Sequence, residues 1–407
     1  MSTSTTRSLG LISAPGYPKD IAARLQDELP NLLQYYVDEN CEWELYYLED
    51  PLTGAGDSLD ILKATKEIKE NNNWDFTVCL TDLPIFKEKR LILAEASEEE
   101  NIALISLPSL GSTMMIRRLR ESILQLVNEM FYGSDDADRD KAQQRIQSMN
   151  DNHKQLKNKD SRHLIGKRFF EYLSPIKRET PNEQEAKHDS SIDVRFTVPK
   201  KWSIALRIIT GMVRANRPWS LFPAFMKVII IAFTTGAYAL VFPTLWQLSN
   251  YYTITRMMIL SIVAILAMVI WIILGHQLWE RPQDANNNYL RKLYNATTFL
   301  TLLLTVCIYY LILFCLFTLA VTTFIPMGML EDQLTGEVGI QNYFYIAWTA
   351  TSIATIVGAL GSALENENAV LESTYGYRQR QRHKRIQEKR NQKKAEEDQK
   401  KSKSEDN

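Results

Sequence analysis

The chain has 407 residues, room for a soluble domain and a membrane domain, with a formal net charge of -1 and 23% charged residues. These figures average unlike parts: the chain is polar before Pro218, mostly apolar from Pro223 to Leu364 and polar again after Glu365, so net charge says little about partners. The 4 cysteines form no CxxC pair, which excludes a disulfide framework, and residues 1–10 lack the charged and apolar regions of a signal peptide. The N-terminal domain is therefore expected in the cytoplasm.

Strand and helix patterns alternate from residue 8 to 131. Residues 9–13 predict a strand, followed by a Pro/Gly turn through Pro15 and Gly16. Ile21, Leu25, Leu29, Leu32 and Tyr36 mark a helical face that Pro30 kinks or restarts. Residues 43–48 predict a second strand, and Ser58 can cap a helix carrying Leu62, Thr65 and Ile68. Third and fourth strands are expected at 76–80 and 91–94, joined like a hairpin by a short basic link, and a fifth at 103–107. An amphipathic helix follows, with Met115, Leu119, Ile123, Leu126 and Met130 on one face and Arg117, Arg118 and Arg120 largely off it. The class is an α/β cytosolic domain over residues 1–132, with a mainly parallel sheet and a possible antiparallel edge strand.

Residues 133–198 look like a polar connector: 135–160 as a solvated helix, 180–191 as disordered, and 192–198 as a late strand that joins the sheet or lies near the membrane. Residues 199–222 form an interfacial amphipathic segment. Trp202, Ile204, Ile208 and Met212 are interspersed with Arg, as in a helix lying on an anionic leaflet.

Residues 223–365 predict a four-helix transmembrane bundle, with spans near 225–248, 257–274, 298–325 and 343–364. Lys and Arg crowd the flank before the first span, the second loop (Arg281, Arg291, Lys292) and the tail at 366–407. The first and third loops are nearly free of them. The expected location is the cell membrane, multi-pass, with both termini cytoplasmic. Trp219, Trp246, Trp279 and Tyr343 sit where interfacial aromatics are expected. No ionisable side chain falls deep in a span, which argues against a proton-coupled carrier. Ala354, Gly358 and Ser362 line one stripe of the fourth span, either for packing within the bundle or as a homo-oligomer seam.

In parallel sheets ligands bind beyond the carboxyl ends of the strands. The candidate ligand-binding residues there are Pro15 and Gly16, Thr81 and Asp82, and Ser106, Ser109 and Gly111, with a helix N-terminus near Ser112. A second candidate is a polar cluster at headgroup level: Arg214, Asn216, Arg217, His276, Glu280 and Arg281. The alternative readings are turn formation for the first set and interfacial anchoring for the second. The first histidine is His153, so no catalytic triad or zinc set can be assembled in the α/β domain. GxSxG, a P-loop and a complete dinucleotide fingerprint are missing. No cofactor or metal is expected. The partners expected are the bilayer, anionic lipid headgroups and a protein or second copy, with no nucleic acid.

Several stretches carry a resemblance: GLISAPG at 10–16, WD at 74–75 through LTDLP at 80–84, SLPSLG at 106–111, GMVRANRPW at 211–219, LYNATT at 293–298 and GALGSALE at 358–365. They resemble an uncharacterised family of four-span membrane proteins of Gram-positive bacteria with an N-terminal cytosolic α/β domain. The resemblance implies an architecture and no reaction. A fainter likeness is to the zincin layout, in which a sheet with an antiparallel edge precedes a long helix, here without HExxH. The leading expectation is a membrane-anchored regulatory or adaptor protein. The alternatives are an oligomeric transport component or small channel, and an enzyme acting on a phosphorylated or lipid-linked substrate.

Overall fold

A computed structural model describes residues 5–51, 58–87, 90–148, 158, 160–180, 192–280, 288–335 and 337–361. The chain divides into two compact units between Ala215 and Asn216. The basic tail, Arg281 and Ser362 lie outside the described residues, as do the segment at 181–191 expected to be disordered and the glycine loop at 52–57.

The first unit is built on an eight-stranded sheet. Its elements are β1 (Thr5–Ser13), α1 (Tyr17–Leu25), α2 (Leu29–Tyr36), β2 (Cys41–Glu49), α3 (Ser58–Asn72), β3 (Phe76–Thr81), β4 (Ile85–Lys87), β5 (Arg90–Ser97) and β6 (Ile102–Ser106). Then come α4 (Met115–Tyr132), α5 (Asp136–Ser148), α6 (Phe169–Leu173), β7 (Lys177–Glu179), β8 (Val194–Val198) and α7 (Lys201–Asn216). Strand order is β2-β1-β3-β6-β5-β8-β7, with β4 on β5. β2, β1, β3 and β6 run parallel; β5, β8, β7 and β4 are joined by antiparallel pairing. Every residue of β3, β6 and β8 is buried, as suits strands covered on both faces, whereas β2 at the edge alternates over its first half.

The sheet is therefore mixed, not mainly parallel with one antiparallel edge, and the zincin-like layout loses its main likeness. The hairpin expected between the third and fourth strands is instead β4 on β5, and β3 pairs with β1 and β6. The late strand joins the sheet as β8.

The polar connector is a covering layer of this unit. Leu164 and Ile165 are buried, and α5, expected to be solvated, buries Arg139 and Ala142. Consequently α4 is buried nearly all round, its polar face included. The domain boundary at residue 132 moves to Ala215. α7 is not a free interfacial helix, since Ile204, Ile208 and Met212 are buried. Arg207 donates from Nε to Ser174 Oγ at 2.7 Å and from Nη2 to the Ser174 carbonyl. Burial pushes the Arg207 guanidinium down to about 10.

The second unit contains α8 (Phe222–Ala239), α9 (Pro243–Tyr251), α10 (Ile254–Gly275), α11 (Asn288–Phe324), α12 (Met327–Gln333) and α13 (Ile340–Gly361). Among the described residues, α10 and α11 are each long and apolar enough to cross a membrane. The α8–α9 pair makes a third span if counted as one, although it bends by 93°. Pro243 accounts for the bend. It holds Phe242 extended, and the freed Leu240 carbonyl accepts from Trp246 Nε1 at 2.9 Å. The first span is thus broken where a continuous one was expected, and Trp246 is a buried cap, not an interfacial anchor.

α13, rich in Ala, Thr and Ser, does not reach the apolarity of the other spans over its described residues. Its small residues are used inside this chain. A Cβ at Gly358 would lie 2.5 Å from Tyr309 Oη, and one at Gly236 would lie 2.3 Å from the Phe317 ring and 3.1 Å from Ala354 Cβ. Ser261, Tyr310 and Ser352 hydroxyls bond to one another, with Trp348 Nε1 donating to Ser261 at 2.6 Å.

Candidate functional site

The parallel register brings the three candidate loops to one end of the sheet, because β1, β3 and β6 are neighbours: Ser13 lies opposite Leu80 and Thr81 opposite Ser106. Their polar groups turn inward. Ser106 Oγ donates to the Leu83 carbonyl at 2.6 Å and meets Ser109 Oγ at 2.7 Å, while Thr81 Oγ1 accepts from the Leu83 amide at 3.1 Å. Thr81, Asp82, Ser106 and Ser109 are all buried, so the hydroxyls hold turns in place and face no open cleft. Pro15 is half-buried and Gly16 exposed. Gly16 and Gly111 have φ of 88° and 82°, conformations that suit glycine. Gly111 packs against Arg118 and Phe170. The helix N-terminus near Ser112 lacks a side-chain cap; α4 begins after Met114, in the left-handed conformation.

The second candidate set is held by different partners. Asn216 Nδ2 donates to Thr301 Oγ1 at 3.0 Å. The Glu280 backbone amide donates to Asn295 Oδ1 at 2.9 Å, and His276 closes the C-terminus of α10. Arg217 adopts φ of 50°. Arg214 belongs to the first unit.

The connector forms the site that local sequence patterns missed. Arg168 pairs bidentately with Glu121 at 2.6 and 2.9 Å, and Glu121 also accepts from the Gly166 amide. Arg178 pairs bidentately with Glu129 at 2.9 and 3.2 Å. Glu171 pairs with Arg118 at 2.7 Å, and Arg118 and Arg207 each stand 5.0 Å from the Phe170 ring centre. Burial lowers the pKa of Arg118 and Arg139, as it does for Arg207.

Beside this network lies a cavity of about 300 Å³. Leu164, Ile165, Ile176 and Phe196 give it apolar walls and Arg162, His163, Lys167 and Arg178 basic ones; Tyr172 and Glu171, the latter paired with Arg118, also line it. Arg162 is drawn to Asp136 and Asp140, His163 to Asp160 and Arg178 to Glu129, while Lys167 has no ion pair among the described residues. Its size is at the small end of ligand pockets, and an apolar wall with a few convergent polar groups is their usual chemistry. The histidine absent from the α/β domain as first bounded is present once the connector is counted in. Among the described residues no cluster of His, Cys, Asp and Glu could hold a metal.

A second, open groove lies at the β2 edge, where Trp74 stacks on Tyr46 and covers Gly10. Asp75 anchors it, accepting from the Ser8 amide and hydroxyl at 2.8 Å and from Arg7 at 3.0 Å. Desolvation would raise the Asp75 pKa, but the Ser8 and Arg7 bonds outweigh it and hold the carboxyl below its usual value. A depressed folded pKa gives stability that is present above the unfolded value and lost as pH falls through the folded one. Asp75→Asn is expected to melt below wild type at neutral pH, with the gap closing below about pH 4, the ordinary carboxylate range. A gap that persists unchanged in thermal melts at acid pH would sink this assignment.

No family model, curated protein or solved structure matches the chain.

Proposed function

We propose that the chain is a multi-pass protein of the cell membrane, with both termini cytoplasmic, whose α/β unit is a regulatory or adaptor domain binding a small anionic ligand with an apolar part. The observation that carries the ligand reading is the cavity, which sets Lys167 and His163 against Phe196 and Ile176. Membrane insertion is supported by α10, α11 and the bent α8–α9 pair, with α13 proposed as the fourth span. Orientation rests on the distribution of Lys and Arg in the flanks. Kinship with the Gram-positive four-span family rests on the stretches at 10–16, 106–111 and 211–219. The enzyme alternative loses support because Asp82, Ser106 and Ser109 are buried.

Thermal melting of the full-length chain in detergent, against alkyl phosphates, carboxylates and nucleotides, tests the ligand reading. A ligand at a hundredfold its Kd stabilises the folded state by about 2.7 kcal/mol. Lys167→Glu is expected to abolish that shift while leaving the ligand-free melt unchanged, because Lys167 is exposed. A folded wild type indifferent to every compound would leave only a protein adaptor. Reporter fusions in the first and third loops test the topology; cytoplasmic reporter activity there would overturn it.

A further inference from the structure

We propose that the first unit docks on an anionic bilayer surface through Phe169, Tyr172, Leu173 and Trp202. Phe169 is 80% exposed, Tyr172 78%, Trp202 56% and Leu173 41%, an unusual display of large apolar side chains for one short stretch of surface. The display is fixed in place. Ser203 Oγ donates to the Leu173 carbonyl at 3.3 Å, and Arg207 binds Ser174 just beyond it, so the first turns of α7 hold the end of α6. Phe170, from the same helix, packs inward against Arg118 and Arg207. The five residues of α6 could not hold a helix alone; these contacts make it a rigid platform with its aromatics outward.

Charge selects the occupant. Lys177, Lys200 and Lys201 are exposed, and none has an ion pair among the described residues. Among the described residues, the carboxylates of α6 and β7 are engaged: Glu171 by Arg118, Glu179 by Arg90. Tyr and Trp favour headgroup level in a bilayer, and Lys beside them is attracted to anionic lipid. A protein interface would favour the aromatics but is usually depleted in Lys. The chain also supplies its own tether, since α7 leads from Trp202 towards the apolar helix that starts at Phe222. The sequence had placed the apolar face of α7 on the leaflet. Ile204, Ile208 and Met212 of that face are buried; only Trp202 of it is exposed, and it is joined by the side chains of α6. The proposal rests on membrane insertion of the second unit; of the docking residues, Tyr172 also borders the cavity, and Phe169, Leu173 and Trp202 do not line it.

The test uses the full chain in nanodiscs, carrying Phe169→Cys in a Cys307→Ala/Cys315→Ala background; Cys41 and Cys79 are buried. A bimane label at 169 is compared with one at Lys141→Cys, whose native side chain is 77% exposed, using brominated lipid as quencher. With about 30 mol% phosphatidylglycerol, quenching at 169 is expected to be at least about twofold that at 141. Lys177→Gln/Lys200→Gln/Lys201→Gln should remove the excess with the melt unchanged. Equal quenching at both positions overturns the docking. An excess that persists in phosphatidylcholine alone, or in the triple variant, overturns the anionic surface as its target. Cross-linking between copies through position 169 in place of quenching assigns the patch to a second copy and overturns it too. A chain that cannot enter nanodiscs overturns the membrane reading and this proposal together.

Discussion

Glu129→Ala is expected to destabilise the first unit by about 3–5 kcal/mol, at the upper end of what single substitutions do. Glu129 is fully buried on α4 and accepts two bonds from Arg178 and one from Gln125. Arg139, also fully buried, stands 3.6 Å away, and its other bonds go to neutral acceptors on Asn128 and Gly133. Removing the carboxylate leaves the fully buried Arg139 guanidinium and the mostly buried Arg178 guanidinium without the anion they share. The penalty is the uncompensated charge rather than the lost bond, so it should shrink when a cation is removed as well. Glu129→Leu combined with Arg178→Met is expected to recover only part of the loss, because one cation is removed while Arg139 stays buried without its carboxylate. Glu179→Ala, which breaks an exposed pair with Arg90, should cost about 0–1 kcal/mol. Denaturant titration of the four proteins checks the ordering. If the double variant proves as unstable as Glu129→Ala, charge burial is the wrong explanation.

The same residues show where sequence reading succeeds and where it stops. β3, β5 and β6 were legible as largely apolar runs and β8 as an alternating one, and their ends fall within a few residues of the expected ones. The two halves of the chain were legible from hydropathy alone. The all-round burial of α4 was not. Arg118, Glu121 and Glu129 occupy the face that local periodicity assigns to water, and their partners Glu171, Arg168 and Arg178 lie in a stretch that reads as polar linker. Each partner is separately a good surface residue, and only the pairing across roughly 50 positions makes burial affordable. The cavity was missed for the same reason, since its walls come from that linker. The candidate loops were correctly placed at one end of the sheet. Their hydroxyls could be recognised as turn-forming only once Ser106 was seen bonded to Ser109 and Leu83. The bend in the first span had a visible signal in Pro243, which an averaged hydropathy profile conceals.

Gly211→Ala is expected to reverse the usual sign of a glycine-to-alanine change within a helix. In an exposed helix interior, alanine is favoured over glycine by about 0.5–1 kcal/mol. At position 211 the new Cβ would stand 2.1 Å from the Pro108 carbonyl oxygen and 2.8 Å from its carbonyl carbon. Both are backbone atoms of the turn at Pro108–Leu110, so no side-chain rotation relieves the clash. α7 or the turn must move, and either shift disturbs its neighbours: Arg207 on Ser174, or Leu110 beneath Arg118. Overpacking of this kind costs about 1–3 kcal/mol and outweighs the helix-propensity gain. Gly275→Ala gives the contrast, because a Cβ there meets nothing within 4 Å. It is expected to be neutral or slightly stabilising, while Gly211→Ala lowers the melting point of the first unit. A Gly211→Ala variant as stable as wild type would mean that α7 does not press on the Pro108 turn, and the boundary at Ala215 would lose its physical basis.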